Sequence, residues 1–526
     1  GEGVNGGTSG AIAGNVTNNA ALAFNRSDAV TFSGTISGAG VVTHLGANTL
    51  TFTADNTYTG DTTISGGTLQ LGDGGTTGAI AGNAINNGAL VFNRANALAL
   101  AGVISGTGGV SQIGAGTTSL TGANTYTGGT TISAGTLQLG EGVNGGTSGA
   151  IVGDVATTAG GTLAFNRADA LDFAGAISGA GTLSQIGAGA TTLSGHSAAF
   201  SGATHVTNGA LLVSATATLG SAASTVSVSN NATLGGAGTL GGSVTIADGI
   251  LAPGTAPLGA PSTLTIQGDL SLSAASQLNY DFGQAGVIGG ALNDLTLVGG
   301  NLTLDGALNV NVPPAGAFGP GLYRVISYSG TLTNNNLAIG TQPAGSATSV
   351  QTSVAGQVNL VNTTGVAVNF WDGGNATRNN GAIDGGSGVW QAAGVGANDN
   401  WTDATGALNA AYAADSFVIF AGAPGTVTLD NSLGAVVSAG MQFASSGYVI
   451  EGAPITLAAG RNELRVGDGT TAGALYTATI AAPLADGSAA SSVDKTDLGT
   501  LVLTGANTYT GGTTISAGTL QLGEGV

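Results

Sequence analysis

The sequence predicts an all-β protein that folds as a parallel β-solenoid, in which short strands coil around one axis and stack in ladders. Three observations predict it, and the first is composition. The 526 residues include 97 glycines, 10 prolines and no cysteine, and 42% are hydrophobic while only 7% are charged. Ordinary soluble domains carry about 25% charged residues, and disordered chains lack this much apolar surface. A folded β protein punctuated by glycine is therefore expected.

The second observation is internal repetition. Asn25-Arg26 returns as Asn93-Arg94, and a third copy carries Asn166-Arg167 after a slightly longer interval. Residues 503–526 are identical to residues 120–143 at every position, and the last four residues equal the first four. Repeats in this size range indicate an array of stacked units, each of which buries its apolar face against its neighbours.

The third observation is a period of two. Leu, Ile, Val or Phe alternate with Thr, Ser or Gln in short runs such as Ala21–Phe24, Leu50–Phe52 and Thr68–Leu71. This alternation is typical of strands with one buried face, and no stretch keeps helical spacing. Three turns in each 68-residue repeat would give about 23 residues per turn, so we expect about 20–25 residues per turn and about 23 turns.

The repeats divide the chain into six predicted segments. Residues 1–72, 73–140 and 141–213 form three solenoid repeats, the third degenerate, and 214–368 form divergent solenoid turns. Residues 369–495 form a tryptophan-containing solenoid segment, and 496–526 return to the repeat and continue the phase of residue 1. Residues related by the 68-residue offset, such as Leu69 and Leu137, should take the same inward position about three turns apart.

A family resemblance follows from these motifs. Residues 496–521 read TDLGTLVLTGANTYTGGTTISAGTLQ, and copies occur at 117–139 and, less perfectly, at 49–71. This pattern resembles the autotransporter-associated β-strand repeat found in autotransporter passengers and related surface adhesins. The resemblance implies an exported, extracellular or outer-membrane-associated location, and a right-handed coil in line with parallel crossovers generally. The family's secretion signal and C-terminal membrane barrel are not recognised in this sequence, so we expect the exported rod alone.

The expected function is a non-enzymatic stalk, fibre or adhesin passenger segment of a secreted bacterial surface protein. Because the two ends share one phase, we expect self-association end to end or covalent continuation of the repeat. Host or matrix surface glycans or proteins are the other expected partners, and no cofactor is expected. The alternative is a passenger of a carbohydrate-active or proteolytic autotransporter with its active segment in 214–495.

Charge and motif spacing argue against other chemistry. The formal charge of −19, with eight Lys plus Arg, disfavours nucleic acid, and no apolar run is long enough for a membrane span. Gly7–Ala11, repeated at 146–150, resembles the nucleophile motif of subtilisin-like proteases and would make Ser9 or Ser148 the nucleophile. His44, His196 and His205 lack the expected flanking sequence, so a repeat turn is favoured and no catalytic residue is expected. No metal site is expected, although an incidental calcium ion in the loops of 372–403 is the weaker alternative to Asx turns.

Nine residues are singled out as candidates. Arg26, Arg94 and Arg167 recur once per repeat, each with an Asp or Asn two positions on, and should mark equivalent surface positions with a local ion pair or hydrogen bond. Tyr58, Tyr126 and Tyr509 are likewise repeat-equivalent structural positions. Trp371, Trp390 and Trp401 lie close together in the sequence and could contact a glycan or partner if exposed. A satellite core with nearby aromatic residues is the favoured interpretation.

Overall fold

A computed structural model describes residues 7–141, 146–254, 260–374, 377–394 and 396–524. The predicted fold class is confirmed: these residues form an all-β parallel solenoid of about 22 coils. The chain divides into two compact units. Unit one comprises Gly1–Asp281, Gly289–Asn309 and Tyr328–Asn335, and unit two comprises Phe282–Ile288, Val310–Ser327 and Asn336–Val526. The right-handed sense of the coil stays a prediction.

In unit one the chain visits three faces in cyclic order, and its strands pair in parallel with the strands one coil before and after. Inward Leu, Ile, Val and Phe fill the centre, and Thr, Ser and Gln alternate outward, as the period of two predicts. In the early coils the first face is a sheet of Ala21–Phe24, Val41–His44, Thr62–Ile64, Ala84–Asn86 and Ile104–Ser105. In later coils a second sheet occupies the same face, and it contains Leu171–Phe173, Ala190–Leu193, Ala210–Val213, Thr233–Gly236, Ile250–Pro253, Gln277–Asp281 and Ala307–Asn311.

The other two faces are built in the same way. The second contains Val30–Phe32, Thr49–Phe52, Thr68–Leu71, Ala89–Phe92, Gly109–Gln112, Thr130–Ile132, Val155–Thr157 and Ile177–Gly179, then Thr218–Leu219, Thr239–Leu240, Thr263–Ile266 and Leu295–Val298. The third contains Val16–Thr17 and Ile36–Ser37, then Leu98–Leu100, Thr117–Leu120, Gly135–Leu139, Gly161–Phe165, Thr182–Gln185, Ala203–Val206, Thr225–Val228, Ser243–Ile246, Leu270–Leu272, Leu302–Leu304 and Leu332–Asn334.

The early coils are shorter than the length inferred from the repeat. Leu22 pairs with Val42 and Val42 with Thr62, and hydrogen bonds that join one coil to the next likewise span a sequence separation of 20. A 68-residue repeat therefore spans about three and a third coils, and each copy begins one face further round. Leu69 and Leu137 are both fully buried, as expected, but Leu69 lies on the second face and Leu137 on the third. The expected spacing of three turns is corrected accordingly.

Coils lengthen later in unit one. Val244 pairs with Leu270 and Leu270 with Leu302, and the hydrogen bonds beside these pairs span sequence separations of 26 and 32. The rungs keep their register, and the added residues lie in the connections between strands, where extra length costs little free energy. These coils are longer than the expected 20–25 residues, whereas the early coils lie at the lower limit of that range.

Unit two contains parallel ladders together with antiparallel pairs that the sequence interpretation did not include. Gly321–Tyr328 and Thr348–Gln351 both pair antiparallel with Gln357–Asn362, the latter across a tight turn with Gly356 at φ 77°. Its remaining elements are Ala338–Ile339, Phe370–Trp371, Gly388–Gln391, Trp401–Thr402, Asn409–Ala410, Ser416–Phe420, Thr426–Asp430, Val436–Phe443, Val449–Gly452, Ile455–Leu457, Gly460–Val466, the 3-10 helix Thr471–Leu475, Thr477–Ile480, Leu484–Asp486, Ser491–Thr496, Thr500–Leu503, Thr513–Ile515 and Thr519–Leu522.

Close stacking explains the glycine at one corner of each repeat. Gly135 has a φ of 61°, and a Cβ there would lie 2.3 Å from the carbonyl oxygen of Gly114 in the preceding coil. Any side chain would collide with backbone in a conformation that L-residues already disfavour. Gly67 and Gly209 adopt nearly the same φ at the equivalent corner, 61° and 60°.

Candidate functional site

The repeated arginines form the predicted local pairs, but they are not the surface residues that the sequence predicts, because Arg94 is buried and Arg26 and Arg167 are partly buried. Arg26 donates through Nε and Nη2 to Asp28 at 2.8 and 2.6 Å, and Arg167 makes the same two bonds to Asp169 at 2.9 and 2.7 Å. In the second repeat Arg94 donates to Asn96 at 3.1 Å. The pairing lowers the pKa of the Asp28 and Asp169 carboxyls, chiefly through the hydrogen bonds from the two guanidinium groups.

Each of these arginines also holds a neighbouring loop. Arg167 donates to the carbonyl oxygens of Gly149 and Thr147 at 2.8 and 2.7 Å, and Arg26 donates to Gly10 at 3.0 Å. Arg94 likewise bonds two loop carbonyls, and its Nη1 pairs with Asp55 at 2.8 Å. The loops held by Arg26 and Arg167 carry the Gly-Thr-Ser-Gly-Ala motif, so the structure places this motif in a repeat turn.

The repeat-equivalent tyrosines pack at corners between strands. Tyr58 and Tyr126 are fully buried, and their hydroxyls bond Thr62 and Thr130 at 2.6 and 2.7 Å. Burial raises the pKa of each phenol to about 12. Tyr509 makes the same bond to Thr513 at 2.7 Å but is only partly covered. The three positions are thus structurally equivalent in local geometry and differ in burial.

The glycan-contact interpretation of the tryptophans is corrected by the structure. Trp371, Trp390 and Trp401 have no exposed surface and pack edge to face, with ring centroids 5.2 Å apart for Trp371–Trp401 and 5.1 Å for Trp390–Trp401. Tyr412 and Phe420 complete the cluster. The three indoles therefore belong to the hydrophobic core of unit two, in one cluster that extends from Val361 to Leu503 and is not the separate satellite core that the sequence favours, and none of their faces is open to a ligand.

A buried polar network lies in unit two near this core. Arg378 pairs through Nε with Asp399 at 3.2 Å and donates through Nη1 to the carbonyl oxygen of Asp372 at 3.2 Å. Asn409 donates through Nδ2 to Asp372 Oδ2 at 2.8 Å, and Asn379 and Asn409 bond each other's backbone N–H through their side-chain oxygens at 2.7 Å. Satisfied groups of this kind fix local geometry more than they react.

A surface pocket of about 260 Å³ opens beside this network. Leu322, Arg324, Asn359 and Arg378 line it together with exposed Ile288. Neither Arg324 nor its partners belong to a repeated motif, and the strands that carry them pair antiparallel, so sequence analysis missed this site. The signal that could have marked it is an arginine outside the repeats with no Asp or Glu within several positions.

The residues considered for catalysis do not form a triad in the described part of the chain. Ser9 and Ser148 are exposed on the arginine-held loops, whereas His44 is buried, its Nε2 lies 2.9 Å from the Asn48 carbonyl oxygen, and burial lowers its pKa. His205 contacts the hydroxyl of Ser227 at 2.8 Å. Among the described residues, no carboxylate contacts His205 to orient it.

The described residues provide neither a cluster of metal ligands nor a membrane-spanning helix. No group of three or more His, Cys, Asp or Glu side chains there is arranged to hold a metal ion. No helix in those ranges has the length and apolar character needed to cross a membrane.

Comparison with known proteins finds that parts of this sequence are similar to autotransporter passengers. The passenger-associated-transport-repeat matches residues 42–71, 110–139, 183–213 and 493–522. The adhesin BmaC autotransporter of Brucella suis biovar 1 (strain 1330) is 51% identical over 279 residues, which are 53% of this chain. The chain spans only 8% of the length of that relative. The predicted resemblance to autotransporter passengers and the predicted cell-surface location are confirmed.

The repeat matches also explain the rotation between copies. Residues 42–71 supply two rungs on each of the first and second faces, and residues 110–139 supply two rungs on each of the second and third. Residues 183–213 then supply two rungs on the third face and two on the sheet that takes the place of the first. One passenger repeat is therefore a double rung on two adjoining faces, and successive repeats in unit one advance by one face.

Proposed function

We propose that this chain is a non-enzymatic passenger segment that serves as a structural and adhesive element on the bacterial surface. The observation that carries the proposal is that the repeated polar residues are used within the stack. Arg26, Arg94 and Arg167 hold loops, and the tyrosine hydroxyls of Tyr58 and Tyr126 bond neighbouring threonines. The parallel ladders of unit one then resist bending, which suits a stalk.

The adhesive part rests on the relative. BmaC carries the name adhesin, and its likeness over 279 residues supports a role in attachment for this chain, with host or matrix glycans or proteins as partners.

We also propose that further coils stack beyond Leu522. Two identical segments of the chain, residues 120–143 and 503–526, support this proposal. Ile132 and Leu139 are fully buried between coils, whereas Ile515 and Leu522, in the identical segment, are 55% and 76% exposed. The difference cannot come from sequence, since the two segments are identical. It arises because no described coil stacks onto the later copy.

The early end of the chain gives the complementary observation. Ile12 is 54% exposed, whereas Ile80, at the equivalent position of the next repeat, is 4% exposed. Covering a large aliphatic side chain contributes about 1.5–3 kcal/mol, and an open strand edge offers unpaired backbone groups for strand addition. The proposed occupant of each face is another coil of the same repeat, covalently continuous or from a second copy.

Adhesion and catalysis are tested with the purified chain. Beads coated with it should attach to epithelial cells and matrix-coated surfaces above beads coated with serum albumin, and panels of polysaccharides and casein should not be hydrolysed. Attachment no better than albumin beads would refute the adhesive role. Hydrolysis that co-purifies with the chain would instead support the enzymatic alternative.

Covalent and non-covalent continuation are separated by size. Denaturing electrophoresis of the native surface material should give bands far larger than 49.8 kDa if further coils belong to the same polypeptide. Bands near 49.8 kDa would mean that stacking between copies is the mode of continuation.

A further inference from the structure

Arg324 differs from the other basic residues in how its charge is compensated. Every other arginine pairs with a carboxylate within the described residues: Arg26–Asp28, Arg94–Asp55, Arg167–Asp169, Arg378–Asp399, Arg461–Asp494 and Arg465–Asp497. Lys495 donates to three backbone carbonyls. In the described part of the chain, Arg324 alone among the guanidinium groups has no acidic partner, although it is half-buried.

The Arg324 guanidinium is nonetheless held in place. Its Nε donates to Asn359 Oδ1 at 2.7 Å and its Nη1 to the Ser327 hydroxyl at 3.0 Å. Asn359 is fixed in turn, because its Nδ2 donates to Gln351 and Gln357 at 3.1 and 3.2 Å. The Nη2 group has no described acceptor, so a preorganised cationic donor faces the pocket.

The neighbouring carboxylate does not neutralise this charge. Asp399, the partner of the pocket-lining Arg378, accepts from Arg378 on one oxygen and from Gln351 and Ser353 on the other, and it forms no ion pair with Arg324. Leaving a partly desolvated guanidinium without an anion is unfavourable, and burial accordingly lowers the pKa of Arg324. An incoming anion would restore the pairing that every other arginine in this chain already has.

The pocket walls indicate what carries that anion. Its volume of about 260 Å³ is below the range for drug-sized ligands and suits one ring with substituents. Ile288, Leu322 and Val354 provide an apolar side, and the Nε2 of Gln357 has no described acceptor, leaving an amide donor for a hydroxyl. A planar guanidinium recognises a carboxylate through two parallel hydrogen bonds.

We propose that the pocket at Arg324 binds the carboxylate of an acidic sugar residue, with the ring against Ile288 and Val354 and a hydroxyl on Gln357. This site rests on the proposed adhesive function, since it would supply a glycan contact for attachment. The proposed glycan site of unit two is thus the Arg324 pocket and not the three tryptophans that the sequence offered as candidates.

The test is binding of defined saccharides by saturation-transfer NMR and calorimetry. The methyl glycoside of N-acetylneuraminic acid or glucuronic acid should bind, and lactose, which is neutral, should not. Arg324→Gln should weaken binding at least about tenfold, because it removes hydrogen bonds to a charged group. Gln357→Glu should also abolish binding, since it supplies Arg324 with an internal carboxylate while keeping the size of the side chain.

Arg461→Gln is the matched control, because it removes the same charge from an exposed guanidinium, paired with the buried Asp494, that is remote in sequence from the pocket-lining residues. Binding unchanged in Arg324→Gln, or equal binding of lactose, would overturn the proposal, as would inorganic sulfate displacing the sugar at equal concentration. Chain-coated beads distinguish the two proposals. If beads bearing Arg324→Gln attach as well as wild type while sugar binding is lost, the pocket is not the attachment site and the adhesive function stands.

Discussion

Leu139 and Leu522 provide an internal comparison of a stacked and an unstacked coil. They occupy the same place in two identical segments, yet Leu139 is fully buried and Leu522 is 76% exposed. Leu139→Ala should cost about 2–5 kcal/mol, since it removes buried methyl groups and leaves a cavity between coils. Leu522→Ala should change stability by no more than about 0.5 kcal/mol, as for most surface substitutions.

Hydrogen exchange measured by mass spectrometry suits this comparison, because stacked repeats open locally and a single unfolding midpoint is not well defined for long arrays. In Leu139→Ala, amides of Gly135–Leu139 and of its neighbour Gly161–Phe165 should exchange at least about 30-fold faster. In Leu522→Ala, amides of Thr519–Leu522 should exchange at nearly the wild-type rate. Equal effects of the two substitutions would refute the assignment of one as interior and the other as edge.

Three further outcomes are expected. Gly67→Ala should lower the melting temperature, because the φ of Gly67 is 61° and a Cβ there would lie 2.4 Å from the Asn48 carbonyl oxygen. Gly66→Ala should not lower it, because no atom lies nearer than 4.0 Å to the added Cβ. Equal melting temperatures of the two variants would contradict this expectation. Burial raises the pKa of Asp294 to about 7, so the Asp294 carboxyl loses its proton at a lower pH in the unfolded chain than in the folded one. The free energy of unfolding should therefore fall by on the order of a few kcal/mol as pH rises from about 4 to 7. Asp294→Asn should flatten that slope in urea titrations, and an unchanged slope would assign it to other groups. The three tryptophans should emit at short wavelength and resist quenching by iodide, and full quenching in the folded chain would place them at the surface.

Much of unit one could be predicted from the sequence, because the same residue pattern recurs in each stacked repeat and indicates the same local structure each time. The period of two gave inward Leu and outward Thr, and Asn25-Arg26 with its copies marked equivalent corners. The coil length could not be read from the 68-residue period, since identity between copies fixes the repeat and not the number of coils within it. Pairing of Leu22 with Val42 was needed to show the advance of one face per repeat.

Unit two was predicted less completely. The burial of the tryptophans followed from clustering of aromatic residues in sequence, and the structure agrees. The Arg324 pocket could not be predicted, because its residues meet only when Gly321–Tyr328 pairs antiparallel with Gln357–Asn362. Each of these strands occurs once in the sequence, and its residue pattern does not show whether it pairs parallel or antiparallel. Buried networks such as that around Asp372 likewise depend on residues far apart in the chain, as Asn409 is from Asp372.

Sedimentation velocity of the purified chain tests most directly whether the face at Ile515 and Leu522 is a stacking surface. Wild type should form larger species as concentration rises, because the exposed apolar surface at Ile515 and Leu522 can pair with the exposed surface at Ile12 of another copy. The double variant Ile515→Asp/Leu522→Asp should remain monomeric. Leu475→Asp, at a residue 85% exposed in the 3-10 helix, should associate like wild type. A folded wild type that sediments as one monomer at every concentration, or a double variant that associates equally, would contradict the assignment of Ile515 and Leu522 to a surface that stacks against a second copy.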